Sequence, residues 1–285
     1  MRETSNSEAR LAEGLIVGSG ILFFRLTSVE LGLILFAVIL GATGLGVFLG
    51  HRVRHLSESL KEPFGVLQAA LLGVVGLLLA FGLSLAVSRY ENRRSNVVDE
   101  ANAIGTTYLR AQTLAEPIRS RSLDLLIRYT RSAIRISDEV PGSAEAGDAR
   151  EHEELIQRRL WSLAGDALEG APVASAPRLY VETLNEMFDQ ETARVAALSN
   201  RVPTAVLVLE ILGSALALGL LAAYLAIVGR GAFAVWLASA LVAFLLLVTA
   251  DLDRPTRGMI QVPDTVLTNQ LASMQGTPAA RAPQR

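Results

Sequence analysis

The side chains with chemical potential in this sequence are mostly carboxylates in apolar surroundings. Glu210 lies inside an otherwise uncharged run, residues 202–229. A charge at the centre of a lipid-crossing helix costs about 2.5–3.5 kcal/mol, so Glu210 is read either as a proton or ion site or as a carboxyl paired with a neighbour. Asp251, Asp253, Arg254 and Pro255 close the last apolar run. Aspartates there meet the negative end of the helix dipole and need compensation. Candidates are Arg254, Arg257, an arginine elsewhere, or a divalent cation held by Asp251 and Asp253; the ion pair is favoured, because two carboxylates leave most calcium ligands unnamed. His51 and His55 are four apart, a zinc-compatible spacing, but Arg52 and Arg54 between them favour contact with lipid headgroups. No phosphate loop, nucleophile elbow or zinc-protease motif occurs, so neither an enzyme nor a cofactor is expected.

The elements that must hold these residues are set by composition. Of 285 residues, 51% are hydrophobic and 19% charged, and the mean hydropathy is +0.39. The apolar residues concentrate in four runs, 31–50, 63–88, 202–229 and 231–250. Each reaches the roughly 20 residues needed for a helix to cross a hydrocarbon layer about 30 Å thick. A soluble globular protein and a disordered chain are excluded, and an all-α membrane protein with four spans is predicted. The last two spans, joined by little more than residues 229–231, form a helical hairpin. Residues 15–24 are apolar but too few to cross and are read as an interfacial helix.

The chain therefore divides into an N-terminal segment (1–28), spans one and two (29–88), a polar insert (89–201), spans three and four (202–250) and a C-terminal tail (251–285). Four spans put the insert and both termini on one side. That side carries Arg25, Arg89, Arg93, Arg94, Arg194, Arg201, Arg254 and Arg257 near span ends, against Arg52, Arg54, Lys61 and Arg230 on the other. The excess of eight over four points to a cytoplasmic insert in a multi-pass membrane protein. The net charge of −2, from 26 basic and 28 acidic residues, gives no attraction to nucleic acid. With no cysteine, disulfides and thiolate sites are excluded.

The insert reads as helical throughout. Val97, Ala101, Ile104 and Tyr108 continue the rhythm of span two, a second amphipathic helix follows Glu116-Pro117, and two more occupy residues 150–169 and 178–200. Residues 139–149, rich in Gly, Ala, Ser and acids, predict a linker, and 170–177 a second break. Its fifteen arginines and eighteen acids are nearly balanced, as on solvated helix faces.

Two spans carry stripes of small residues: Ala42, Gly46 and Gly50 in span one, and Ala69, Gly73, Gly76, Ala80 and Ser84 in span two. Such stripes let helix backbones approach closely or line a pore, and the packing reading leads.

Residues 100–110 (Glu-Ala-Asn-Ala-Ile-Gly-Thr-Thr-Tyr-Leu-Arg) and 251–258 (Asp-Leu-Asp-Arg-Pro-Thr-Arg-Gly), in this order of parts, resemble the bacterial bestrophin-like membrane proteins. The resemblance covers nearly the whole chain and marks Glu100, Asn102, Tyr108, Arg110, Asp251, Asp253, Arg254 and Pro255. Bestrophins proper are pentameric, calcium-linked anion channels of four spans with a helical cytosolic region, and their second span lines the neck. This sequence departs from them in lacking the aromatic and branched apolar neck motif of span two and the acidic run of the calcium clasp. The resemblance implies a homo-oligomer, a pentamer, in the lipid bilayer of the bacterial inner membrane that conducts small anions. One subunit has too few polar span residues to enclose a wet path, so assembly must create it. Then the span-two stripe faces the axis, Arg89, Arg93, Arg94 and Arg110 concentrate anions beside it, and glutamate at positions 93 and 94 lowers anion selectivity. The rival expectation is a non-conducting scaffold or sensor whose insert binds a partner. A membrane enzyme is third, and needs Glu100, Asp251 and Asp253 to converge.

Overall fold

A computed structural model describes residues 26–53, 61–140, 143–229, 231–255 and 258–276. Their regular structure is helical: α1 (Ser28–Val53), α2 (Lys61–Ala111), α3 (Ile118–Asp138), α4 (Ala144–Gly170), α5 (Ser175–Ser199), α6 (Thr204–Val228), α7 (Ala232–Leu252) and α8 (Thr265–Gln275). Two compact units result, one from Met1–Ser88 and Val202–Gln261, the other from Arg89–Arg201 and Val262–Arg285. The expected interfacial helix, Arg54, His55, Arg230 and Arg257 lie outside the described residues.

Among the described residues four helices are long and apolar enough to cross a membrane, and the first unit holds the apolar part of each. Lipid offers the backbone no hydrogen bonds, so a spanning segment must satisfy its own N–H and C=O groups as a helix. Leu31, Leu35 and Ile39 of α1 pack with Val75 and Leu79 of α2, Leu218 of α6 and Leu246 of α7. Small residues bring α1 and α6 together. A Cβ added at Gly46 would overlap the Gly219 carbonyl oxygen and lie 2.8 Å from its carbon, and one at Gly50 would lie 2.8 Å from Ala223 Cα and Ala226 Cβ. Thr43 and Ser239 share a hydrogen bond of 2.7 Å between α1 and α7, both hydroxyls buried. The hairpin between α6 and α7 turns on Gly229 (φ 80°) and Gly231 (φ 81°), a left-handed backbone that glycine adopts without a steric cost.

The second unit contains the rest of α2, then α3, α4, α5 and α8. At 51 residues and about 1.5 Å per residue, α2 is roughly 77 Å long, far more than a hydrocarbon layer requires. Ile104, Leu126, Tyr129, Leu160, Tyr180, Leu184 and Met187 form the centre of this unit, joined by Leu267 and Met274 of α8. Three expectations are corrected. Residues 144–149 are helix rather than linker, because the Ser143 hydroxyl accepts from the Ala146 N–H at 3.1 Å and caps the helix start. The break before α5 shrinks to residues 171–174. The stretch read as a tail contains α8, whose Leu267, Leu271 and Met274 follow helical spacing and whose Met274 carbonyl accepts from the Tyr108 hydroxyl at 2.8 Å.

Candidate functional site

In the membrane-crossing unit, α2 turns one face inward through Gln68, Val75, Leu79, Gly82 and Ala86. The small-residue stripe is elsewhere: Ala69, Gly73, Gly76, Ala80 and Ser84 are all exposed, and a Cβ at Gly73 or Gly76 would meet nothing within 4 Å. Within the subunit the described residues leave this stripe uncovered, so any close packing on it would involve another chain. Gly82, outside the stripe, is the close contact of α2, since a Cβ there would overlap Oε1 of Glu210 and lie 2.8 Å from Oε2. Glu210 is 2% exposed, and neither carboxyl oxygen has a hydrogen-bond partner among the described residues.

The segment after α7 is a buried hydrogen-bonded knot. Asp251, Asp253, Arg254 and Pro255 are all buried. Asp251 accepts from the Ser28 hydroxyl at 2.6 Å and from the Ile260 N–H at 2.9 Å, one bond to each oxygen. Asp253 accepts from the Val202 N–H at 2.9 Å, and Arg254 donates to the Leu26 carbonyl. Gly258 closes the knot, because a Cβ there would lie 2.7 Å from the Asp251 carbonyl oxygen. Protein donors thus reach both oxygens of Asp251.

In the second unit the arginines divide. Arg93 is 2% exposed and donates to the carbonyls of Ala197 (3.3 Å) and Asn200 (2.9 Å), capping the C-terminus of α5. Arg89 donates to the Asn200 side chain. Arg110 donates to the Leu179 carbonyl at 2.8 Å and lies 3.7 Å from Glu182. Arg94 is exposed and lies 3.9 Å from an exposed Glu91. Arg93 is thus buried, Arg89 and Arg110 are half-buried, and Arg94 is the most exposed of the four. Asn102 is exposed, whereas Tyr108 is buried.

Glu100 belongs to a polar centre that reading the sequence did not assemble. It is fully buried and bonded to Arg194 Nε, with the Tyr129 hydroxyl donating to its other oxygen at 3.4 Å. Burial raises the Glu100 pKa and the Arg194 guanidinium opposes that rise. For Arg194, burial works against the charge, but Glu100, Glu153 and Tyr129 outweigh it. Arg194 also donates to the Ser137 hydroxyl at 3.2 Å. Glu153 is buried nearby, and burial, reinforced by Glu100 and Glu191, pushes its carboxyl up to about 9. The missed signal was positional: Glu153 stands between Ala149 and Ile156, and Arg194 between Met187 and Leu198, on stripes that are otherwise apolar.

A model of the bestrophin-like domain matches residues 35–267. The chain belongs to the bestrophin-like family. Among solved structures it is similar to a bacterial bestrophin homologue from Klebsiella pneumoniae. A point mutant of that protein gives a TM-score of 0.61 at 17% identity over 83% of this chain and 98% of the other. The form phased on zinc gives 0.61 at 16% identity over 83% and 98%, and a further mutant gives 0.59 at 17% over 83% and 93%. These likenesses establish the bestrophin fold. No curated protein matches the sequence.

Proposed function

We propose that this bestrophin-like chain assembles into a closed homo-oligomer, by family resemblance a pentamer, that conducts small anions of the chloride type across the bacterial inner membrane, with the helical insert and both termini in the cytoplasm. The observation that carries the proposal is the stripe on α2. Five small side chains lie exposed in the subunit while another face of the same helix is buried. Copies of α2 arranged about an axis could line a conduit with this stripe without displacing any contact that holds the subunit together. The knot around Asp251 and Asp253 then stiffens the subunit, and Glu210, packed against Gly82, is kept off the stripe, where its charge would oppose anions. Arg94 adds positive potential along α2.

The test is chloride flux in liposomes containing purified protein, with subunits counted by native mass measurement. A closed ring with saturable chloride flux is the expected result. A ring without flux, or a monomer or dimer, favours the rival reading of a scaffold whose insert binds a partner. In bilayer recordings, Arg94→Glu is expected to shift the reversal potential toward reduced anion selectivity, and an unchanged value counts against Arg94.

A further inference from the structure

Between α4 and α5 the insert unit carries a cleft of about 580 Å³, lined by Arg150, Glu153 and Gln157 on one side and Glu191, Val195 and Ala196 on the other. This is within the range of small-molecule sites. Glu153 lines it, is 1% exposed, and has no hydrogen-bond partner on either carboxyl oxygen among the described residues. A buried carboxyl normally has its oxygens satisfied; Arg150 Nε and Arg194 Nη2, whose guanidiniums act on Glu153, are unpartnered among the described residues as well, so this wall of the cleft holds polar groups open to an occupant.

The charge balance identifies the occupant's sign. The charged groups around Glu153 are Glu100 from α2, Arg150 from α4, and Glu191 and Arg194 from α5, with the Tyr129 hydroxyl from α3 nearby; the lining also carries Glu154 and Arg158, which pair at 3.3 Å and cancel. Counting Glu153 itself, three carboxylates face two guanidiniums, and Arg194 is already bonded to Glu100. The group is one positive charge short. A proton on Glu153 makes up the difference while the cleft is empty, consistent with the carboxyl titrating at about 9. The missing charge does not suggest a metal, since among the described residues no three His, Cys, Asp or Glu side chains gather for one. A cation with N–H donors suits two bare acceptor oxygens, and Val195 and Ala196 offer apolar wall for a carbon chain.

We propose that the cleft between α4 and α5 binds a small organic ammonium ion, its N–H groups on the Glu153 carboxylate and its carbon chain along Val195 and Ala196. Loading exchanges one cation for another: the ammonium enters with its charge, and the proton on Glu153 leaves to solvent. Binding therefore releases close to one proton per site and strengthens with rising pH, by up to about tenfold per unit while Glu153 is protonated in the empty protein.

The test uses the intact protein in detergent and n-butylammonium chloride as probe. Titration calorimetry near pH 7.5, in two buffers of different ionisation enthalpy, is expected to show one saturable site and about one proton released. Glu153→Gln should weaken binding at least about tenfold, the loss of a charged partner. Asp124→Asn, on α3 away from the cleft where Asp124 pairs with Arg128 at 2.9 Å, should leave it within about twofold. Tetramethylammonium, charged but without N–H donors, should bind at least about tenfold more weakly. Absence of saturable heat up to about 20 mM probe, a dissociation constant too weak to act as a site, would overturn the proposal. So would binding without proton release, equal binding of tetramethylammonium, or a folded Glu153→Gln protein of unchanged affinity. If that variant does not fold, proton release by the unmodified protein decides the matter.

Discussion

Two stripes of small residues, alike in sequence, meet opposite surroundings. In α1, Gly46 and Gly50 are buried against the backbone of α6, so closely that neither has room for a methyl group. In α2, Gly73 and Gly76 face open space and their stripe is exposed throughout. A small-xxx-small pattern therefore reports that something approaches the helix without saying whether it belongs to the same subunit. In α1 the approach occurs inside the chain. In α2 the space is left for what lies outside it, and the proposed conduit rests on that difference.

The contrast breaks most visibly at Gly46. Gly46→Val places side-chain carbons against the Gly219 carbonyl, a backbone group that cannot swing aside, and is expected to cost about 3 kcal/mol or more. The measurement is the yield of monodisperse protein in detergent, which should collapse. Gly82→Ala meets only the end of the Glu210 side chain, which can move, so a smaller loss of about 1–3 kcal/mol is expected. Glu210→Ala in the same chain should recover part of that loss of thermal stability; no recovery would show that the crowding lies elsewhere.

Carboxyls supply a parallel contrast, because Asp251 has a donor on each oxygen while Glu153 has none. With a folded pKa of about 9 against an ordinary 4.5, native Glu153 keeps a proton that the unfolded chain has lost. Its contribution to stability is complete below pH 4.5 and drains away as pH rises toward 9, by at most about 1.4 kcal/mol per unit. Trp161, whose ring centroid lies 6.3 Å from that of Phe188, reports unfolding of this unit in a Trp236→Phe background. Glu153→Gln should flatten the pH dependence seen by Trp161; an equally steep curve would assign it to another group. The smallest effect on stability belongs to the exposed stripe: Gly76→Val should change the melting of the subunit by less than about 0.5 kcal/mol, yet reduce chloride flux. Unchanged flux would remove α2 from the proposed pathway.

The sequence made the membrane helices legible because each carries a long uncharged run, and hydrophobic thickness leaves the backbone only one way to cross. The α6–α7 turn was equally readable from Gly229 and Gly231. Helix ends were less so: the acid- and alanine-rich residues 144–149 suggested a linker by composition, but Ser143 supplies a cap that starts a helix. In α8 three apolar positions carried the helical rhythm, yet the stretch was short and lay in a segment that otherwise read as tail. Pairings across the chain were the least legible. Arginine 93 carries the same charge as arginine 94 in the sequence, and only the fold shows that one caps α5 while the other meets solvent. The partnership of Glu100 with Arg194, 94 positions apart, is likewise fixed by tertiary packing, although both interrupt apolar stripes.

Asp251, in the last turn of α7, imposes an order on biogenesis. The Ser28 hydroxyl waits 223 positions for Asp251 to be synthesised, and the other Asp251 oxygen waits nine more for Ile260. The start of α1 therefore lacks this bond while the whole insert is translated. A ribosome stalled before Asp251 would leave α1 without the latch that completes the fold.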